Sequence, residues 1–241
     1  FIDASNGANN FATGSTTLST DTWYHVACTY DGRGGSTAYN GITLYINGVA
    51  ESVTTSGGSY TAMSNTSQNV EIGKYSTNEL LGNIDETAIF SSQLSQSDIT
   101  AIYGTGVPTS LSSYSSLISW WRCGDGDTAP TLTDNGSGGN NGTMTNFSTF
   151  SSDVPVELFS RKSILLDGVD DYVTMGDVLD TSDTGADAFS ISAWYKTSNS
   201  GTQMIVTKWS NVSPTNGFGL FLQGSSQMRF FMGSFVGNAY L

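Results

Sequence analysis

Short segments of alternating apolar and polar residues, separated by turn sequences, recur along the chain and favour an all-β fold. In residues 22–31, Tyr24, Val26 and Cys28 fall on one face, because successive side chains of a strand point to opposite sides. Asn47-Gly48 follows an apolar segment and is a strong hairpin signal, since both central positions of a type I′ turn need a positive φ. This pattern predicts an antiparallel β-sandwich.

One helix is predicted, at residues 91–103. Ser95 suits the N-cap position, and Asp98 lies three residues later, as in a capping box. Gly104 suits the C′ position, where a left-handed backbone ends many helices. The Pro- and Ser-containing residues 107–116 follow and predict a linker.

The composition excludes several partner classes. The chain has 21 acidic and 8 basic residues, a formal net charge of −13, which repels nucleic acid and anionic membranes. It contains no apolar run of about 18 residues, so no membrane insertion is expected. Low Lys content with many small polar residues suits an extracellular or virion surface. The first residue is not Met, so we expect a processed product or part of a longer polypeptide.

The residues that could support catalysis or a disulfide are few. Cys28 and Cys123 leave a disulfide open, although Cys28 suits a small core residue. His25 lies in a predicted strand without a nucleophile motif beside it, so we expect a buried structural histidine with satisfied hydrogen bonds. Asp85 and Glu86 are adjacent and would point to opposite faces of a strand, unlike the paired carboxylates of glycanases. We therefore expect no enzymatic activity.

Seven segments together resemble the laminin G-like, pentraxin-type domain. That family has the concanavalin A-like jelly-roll fold, so the resemblance implies an antiparallel jelly-roll β-sandwich with one short helix. The segments are ILLDGVDDYVTMGD, FSISAWYKT, MIVTKW, TWYHVACTYDG, ITLYINGVA, VEIGKY and LLGNIDETAIFSSQLSQSDITAIY.

The order of these segments departs from the family. There, the DG-x-DDY strand opens the domain, and the strand followed by the short helix closes it. Here residues 1–106 correspond to the C-terminal half, residues 107–116 to a linker and residues 117–241 to the N-terminal half, which together equal one domain. The chain is thus either a circularly permuted domain or a window of a tandem repeat. We favour one closed sandwich over an exchange of halves between neighbouring chains, because an open half would expose unpaired edges.

A calcium site is predicted at the loop after residue 166. Asp167, Asp170 and Asp171 supply carboxylates and turn carbonyls, the oxygen ligands that Ca²⁺ prefers. The resemblance adds Asp85, which would approach from the closing strand, because many family members bind Ca²⁺ near those strands. The alternative is that Asp167 and Gly168 only form a turn.

The resemblance and the polar surface favour a recognition or adhesion module that binds a glycan or a surface protein. Trp209 stands at a predicted strand end and, with Asn211, is our candidate for an exposed ligand-binding pair. Self-association into a fibre or repeat array is expected. The alternative function is a purely structural fibre or filament subunit without its own ligand.

Overall fold

The chain forms two antiparallel β-sheets that pack face to face, with an α-helix outside. The computed structural model describes residues 9–61, 67–156, 159–180, 187–210, 215–224 and 227–235. Before the helix α1 (Gln96–Tyr103) come β1 Asn9–Thr17, β2 Tyr24–Tyr30, β3 Ile42–Ile46, β4 Val49–Ala50, β5 Val53–Ser56, β6 Val70–Ile72, β7 Lys74–Tyr75, β8 Asn78–Glu79 and β9 Leu81–Phe90. After it come β10 Leu117–Trp121, β11 Thr131–Leu132, β12 Gly142–Thr145, β13 Phe150–Ser151, β14 Ser163–Asp167, β15 Tyr172–Gly176, β16 Phe189–Thr197, β17 Gln203–Trp209, β18 Thr215–Gln223 and β19 Gln227–Phe235.

Two large sheets enclose the main core. The nine-stranded sheet has the order β11-β12-β15-β6-β17-β18-β19-β1-β5. The eight-stranded sheet has the order β13-β14-β9-β16-β2-β3-β4, with β10 also paired to β9. Inward side chains such as Cys28 and Ile191 from one sheet and Val70, Leu220 and Phe230 from the other form one buried cluster. The prediction of an all-β antiparallel sandwich with a short helix is confirmed.

Strands from before and after residue 106 interleave in both sheets. In the eight-stranded sheet, β9 lies between β16 on one edge and β14 and β10 on the other. In the nine-stranded sheet, β6 lies between β15 and β17. Neither half has a complete sheet of its own, because each supplies central strands to the other.

The first and last described strands are neighbours. β1 pairs antiparallel with β19, with Asn9 opposite Gly233 and Phe11 opposite Phe231. The sequence predicts that residues 228–241 run on into residues 1–14 as a hairpin. The antiparallel pairing has the geometry of such a hairpin, and the stretch that would form its turn lies outside the described residues.

The helix has the predicted cap. The Ser95 hydroxyl accepts a hydrogen bond from the Asp98 amide at 3.2 Å, and the Ser95 amide donates to the Asp98 carboxylate at 3.0 Å. Gly104 closes the helix in the left-handed conformation, at φ 57°. The helix begins at Gln96, and the predicted start at residue 91 is too early because residues 91–95 lead up to the cap.

Residues 107–116 form a packed loop and not an open tether. Leu111 is only 2% exposed and packs in an outer cluster with Ile99, Ile102 and Trp120. The Tyr114 hydroxyl donates to the carbonyl of Asp98 at 3.4 Å. The connection between the two halves therefore contributes to the fold.

Two predicted segments differ from the structure. Residues 49–53, predicted as one returning strand, divide into β4 and β5, which belong to different sheets. Residues 133–145, predicted as a surface loop, end in β12, which pairs with β15. The Gly- and Asn-rich composition gave no local indication of β12. Its pairing with β15, about thirty residues away, could not be read from that segment alone.

The two cysteines are free thiols, and both are buried. Burial raises the pKa of each thiol. His25 is also buried, as predicted, and its Nε2 lies 2.8 Å from the Ser192 hydroxyl. Its Nδ1 has no hydrogen-bond partner, so the expectation of a fully satisfied histidine is wrong. None of the described helices is both long enough and apolar enough to cross a membrane.

Candidate functional site

Three carboxylates converge at the loop between β14 and β15. Asp167, Asp170 and Asp171 each offer an oxygen atom, and these oxygens all lie within 4.8 Å of one another. Oxygens that share one Ca²⁺ at about 2.3–2.6 Å can be separated by at most about 5 Å. The three carboxylates therefore have the chemistry and spacing that a calcium ion needs.

Hydrogen bonds of the loop hold two of these carboxylates in place. Asp167 accepts from the amides of Val169 at 2.8 Å and Asp170 at 3.3 Å through Oδ1. Asp171 accepts from the Asp167 amide at 3.1 Å through Oδ2. Gly168 adopts a positive φ of 73°, which lets the chain turn this tightly. In each carboxylate the second oxygen is not used by these bonds and remains available to a ligand.

The loop concentrates negative charge around one poorly solvated carboxylate. Asp171 is 7% exposed, and burial raises its pKa, against the lowering effect of its hydrogen bond from the Asp167 amide. The charges of Asp167, Asp170 and Glu79 raise that pKa further. A bound cation would relieve this repulsion.

Asp85 does not join this cluster, so its prediction as a metal ligand is wrong. β14 pairs with β9 so that Asp167 lies opposite Leu81. Asp85 is four residues further along β9, about 13 Å away. It is fully buried and accepts a hydrogen bond from the Ser160 hydroxyl at 2.5 Å. Strand register, which the sequence does not specify, separates it from the loop.

An apolar cavity of about 560 Å³ adjoins the acidic loop. Its lining combines apolar and hydroxyl side chains with two of the carboxylates: Leu81, Phe147, Thr149, Phe150, Ser151, Leu165, Leu166, Asp167 and Asp171. Leu165 is 51% exposed, unusual for a leucine in a sheet. This arrangement places an apolar wall beside a group of three carboxylates, which suits a ligand with both an apolar face and hydroxyl groups.

Sequence reasoning missed the apolar wall. Alternation along β14 places Leu165 on the same face as Asp167, a signal that was present in the sequence. The position of Phe147 and Phe150 had no such signal, because it depends on the pairing of the short strand β13 with β14, in which Phe150 lies opposite Ile164. The Asn146 side-chain amide donates to the carbonyl of Asp170 at 2.9 Å and holds its segment against the acidic turn.

Trp209 is buried, so the expectation that it is exposed is wrong. It is 7% exposed and lies edge-on to Phe231, with ring centroids 4.2 Å apart. The Phe231 ring packs against Gly219, its neighbour on β18. A Cβ at Gly219 would meet the ring at 2.7 Å, so this close packing requires a residue without one. Asn211, the proposed partner of Trp209, lies outside the described residues.

Trp209 belongs to a second apolar cluster outside the main core. We call the outer face of the nine-stranded sheet around Trp209, Phe221 and Phe231, with Phe11 and Tyr75 at its margin, the aromatic face. Tyr75 contributes from the β7–β8 hairpin and lies edge-on to Trp209, with centroids 6.3 Å apart.

The adjacent acids Asp85 and Glu86 are enclosed under the outer cluster. Glu86 accepts a hydrogen bond from Trp120 Nε1 at 2.6 Å and lies 3.4 Å from the Arg122 guanidinium. Burial raises the pKa of Glu86 to about 7, although Arg122 and Trp120 oppose the change. Burial also raises the pKa of Asp85, and the charge of Glu86 adds to this effect. Both carboxylates lie beneath other side chains, where a polymeric substrate does not reach.

Comparison with protein families agrees with this architecture. Residues 1–100 match the family model described as concanavalin A-like lectin/glucanases superfamily, which is less than half of the 241 residues. For those residues the match confirms the resemblance inferred from the sequence. Neither the curated proteins nor the solved structures gave a significant match.

Proposed function

We propose, from the match of residues 1–100 to the concanavalin A-like lectin/glucanase superfamily and from the geometry of the acidic loop, that this chain is a calcium-dependent glycan-binding module. The match and the fold indicate, at a coarser level, a carbohydrate- or protein-binding module. The observation that carries the proposal is the cluster of three carboxylates beside an apolar cavity of about 560 Å³.

Asp167, Asp170 and Asp171 would hold the ion, with backbone carbonyls and water completing the six to eight oxygens that Ca²⁺ takes. When bound, Ca²⁺ supplies a site for hydroxyl oxygens of the ligand. The exposed side chain of Leu165 offers an apolar surface to the carbon face of a sugar.

The buried position of Asp85 and Glu86 supports a non-catalytic module. Glycoside hydrolysis needs two carboxyl groups on either side of the scissile bond. These two are enclosed by Trp120, Arg122 and Ser160 and hold neighbouring strands and loops together. Proteins with the laminin G-like, lectin-type fold are typically non-catalytic.

The setting proposed for this module is an extracellular fibre or a virion surface. The net charge of −13 keeps such a surface soluble and repels polyanions, which favours neutral glycans at the calcium loop.

Calcium binding is tested by thermal unfolding with Ca²⁺ and with a chelator. We expect a higher midpoint with Ca²⁺, because a ligand present at about 100 times its Kd stabilises the folded state by about 2.7 kcal/mol. Asp171→Asn should abolish the shift. Asp21→Asn is the matched control, since Asp21 is exposed, lies elsewhere and has a positive φ that Asn tolerates. A wild-type midpoint that does not respond to Ca²⁺ would overturn the metal site.

Glycan binding is tested on an array of neutral and acidic glycans, with Ca²⁺ and with chelator. We expect neutral glycans to bind with Ca²⁺, and both the chelator and Asp171→Asn to remove that binding. Leu165→Ser should weaken binding while preserving the calcium-dependent thermal shift, because it changes only the apolar wall. Equal binding in chelator would contradict the calcium-dependent mode.

A second candidate function is a structural fibre subunit, and the pairing of β1 with β19 favours it. If residue 241 of one unit were joined to residue 1 of the next, residues 117–241 followed by 1–116 would form one continuous domain. An array of such units would be a fibre. The permuted chain that begins at residue 117, continues from 241 to 1 and ends at 116 should fold with the same unfolding midpoint. A permuted chain that does not fold would exclude this arrangement. Sedimentation of the original chain then distinguishes a monomer from assemblies in which neighbouring chains exchange their halves.

A further inference from the structure

Arg229 is a half-buried cation on the aromatic face, and none of the described residues gives it an acidic partner. It lies on β19 opposite Phe221 of β18 and Thr13 of β1. No carboxylate of the described residues lies within 4.0 Å of its guanidinium, whereas five other basic side chains have such partners: Arg33, Lys74, Arg122, Lys196 and Lys208. Arg161 and Lys162, the remaining two, are exposed. Burial without a counter-charge lowers the pKa of Arg229.

One edge of this guanidinium lacks hydrogen bonds. Nη1 donates to the side-chain carbonyl of Gln223 at 3.0 Å. Nε is buried and has no acceptor, and Nη2 donates to none of the described residues. Nε and Nη2 together form an edge through which Arg can bind a carboxylate with two parallel hydrogen bonds. An unsatisfied buried donor destabilises the folded protein, and an arriving acceptor would remove this penalty.

Neighbouring groups fix the orientation of the guanidinium and add surface for a ligand. The Phe11 ring lies against it, with Cζ 4.0 Å from the ring centroid. Phe11 is half-buried and lies opposite Phe231 on the adjacent strand. Gln223 and Thr13, both partly exposed, provide amide and hydroxyl groups on either side of Arg229. An aromatic ring beside such polar groups is the usual composition of a sugar subsite.

We propose that Arg229, with Phe11 and Gln223, forms a calcium-independent subsite for a sugar unit that carries a single carboxylate. Nε and Nη2 bind the carboxylate, the Phe11 ring contacts the sugar carbons and Gln223 bonds a hydroxyl. The Nε edge lies beneath the surface, so the Phe11 side chain shifts to admit the ligand. The net charge of −13 disfavours polyanionic glycans and acidic peptides, so the ligand is a terminal or isolated acidic sugar.

This subsite goes beyond the proposed function, because it lies on the nine-stranded sheet's outer face and uses no residue of the calcium loop. The two proposals fail independently. Binding at Arg229 persists in chelator and in Asp171→Asn, whereas binding at the loop does not.

The test uses methyl β-D-glucuronide and methyl β-D-glucoside, which differ at the carboxylate, titrated into the 15N-labelled chain in chelator and followed by NMR. We expect the glucuronide to bind at least about tenfold more tightly than the glucoside, which corresponds to about 1.4 kcal/mol. Arg229→Gln should remove this preference. Arg33→Gln is the matched control, because it removes the same charge at an exposed pair with Asp31 and should leave the preference intact.

A second variant keeps the test decisive if Arg229→Gln does not fold. Phe11→Ala leaves the guanidinium in place and should weaken glucuronide binding while changing acetate binding little. Equal binding of glucuronide and glucoside, or an equal loss in Arg33→Gln, would overturn the subsite. Tighter binding of a short Glu-containing peptide than of the glucuronide would overturn the sugar class.

Discussion

The buried charged groups on the two outer faces of the sandwich differ in the partners they have. The outer face of the eight-stranded sheet lies beneath α1 and residues 107–116, and we call it the helix-covered face. There Glu86 has Arg122 and Trp120 as partners, and Asp85 has Ser160. The aromatic face holds a smaller apolar cluster, and its cation has no acidic partner among the described residues.

This difference is the reason why we assign a structural role to Glu86 and propose a ligand-binding role for Arg229. A buried polar group with every partner in place stabilises a specific packing, because any change leaves another group unsatisfied. A half-buried cation with a free edge gives little to the fold and keeps hydrogen-bonding capacity for a ligand.

The largest expected effect is at Trp120 on the helix-covered face. Trp120→Ala should lower the free energy of unfolding by about 3–5 kcal/mol, the range for a large aromatic side chain removed from a packed site. It also removes the indole N–H that donates to the Glu86 carboxylate, which then keeps only Arg122 as a donor. Chemical denaturation measures the loss. The free energy of unfolding of Trp120→Phe, which keeps a ring but not the donor, should fall between those of the wild type and Trp120→Ala. A loss below about 1 kcal/mol would mean that this face is not a packed cluster.

Leu111 tests whether the connecting loop belongs to the helix-covered face. Leu111→Ala should cost about 2–4 kcal/mol, because the side chain is buried against Ile99 and Trp120. Ser113→Ala, an exposed change in the same loop, should stay within about 0.5 kcal/mol. Equal midpoints of the two variants in denaturant would show residues 107–116 to be a free tether.

Glu86 gives this face a pH dependence with a defined sign. Its folded-state pKa of about 7 lies above the ordinary 4.5, so the folded protein binds more protons than the unfolded chain between these values. The stabilisation is full below pH 4.5 and is lost as the pH rises through 7, by at most about 3 kcal/mol. Glu86→Gln should reduce this slope of unfolding free energy against pH. An identical slope in Glu86→Gln and wild type would contradict the raised pKa.

The smallest effect is expected at Arg229. Arg229→Met should change the free energy of unfolding by less than about 1 kcal/mol, because it keeps an apolar side chain at this position and removes an unsatisfied donor. Thermal unfolding of Arg229→Met beside Trp120→Ala compares the two faces directly. A loss above about 2 kcal/mol would show that Arg229 is structural, as Glu86 is.

Much of the fold could be predicted because local signals agree with it. The capping box of Ser95 and Asp98 and the turn at Asn47-Gly48 depend on residues a few positions apart. The acidic loop was also predictable, since Asp167, Asp170 and Asp171 lie within five positions and one turn holds them together. Asp85 was misplaced because its distance from that loop depends on how β14 aligns with β9.

The sequence by itself determined most of the strands, the helix and the acidic loop, because alternation, capping and turn chemistry act over a few residues. Only the tertiary structure decided that Trp209 is buried, that residues 107–116 are packed and that Glu86 has a basic partner while Arg229 has no acidic partner among the described residues. Those properties depend on contacts between residues far apart in the chain, such as Glu86 with Trp120 and Arg229 with Phe11. Burial and pairing are set when strands from both halves come together, and no local pattern encodes which side chains will meet.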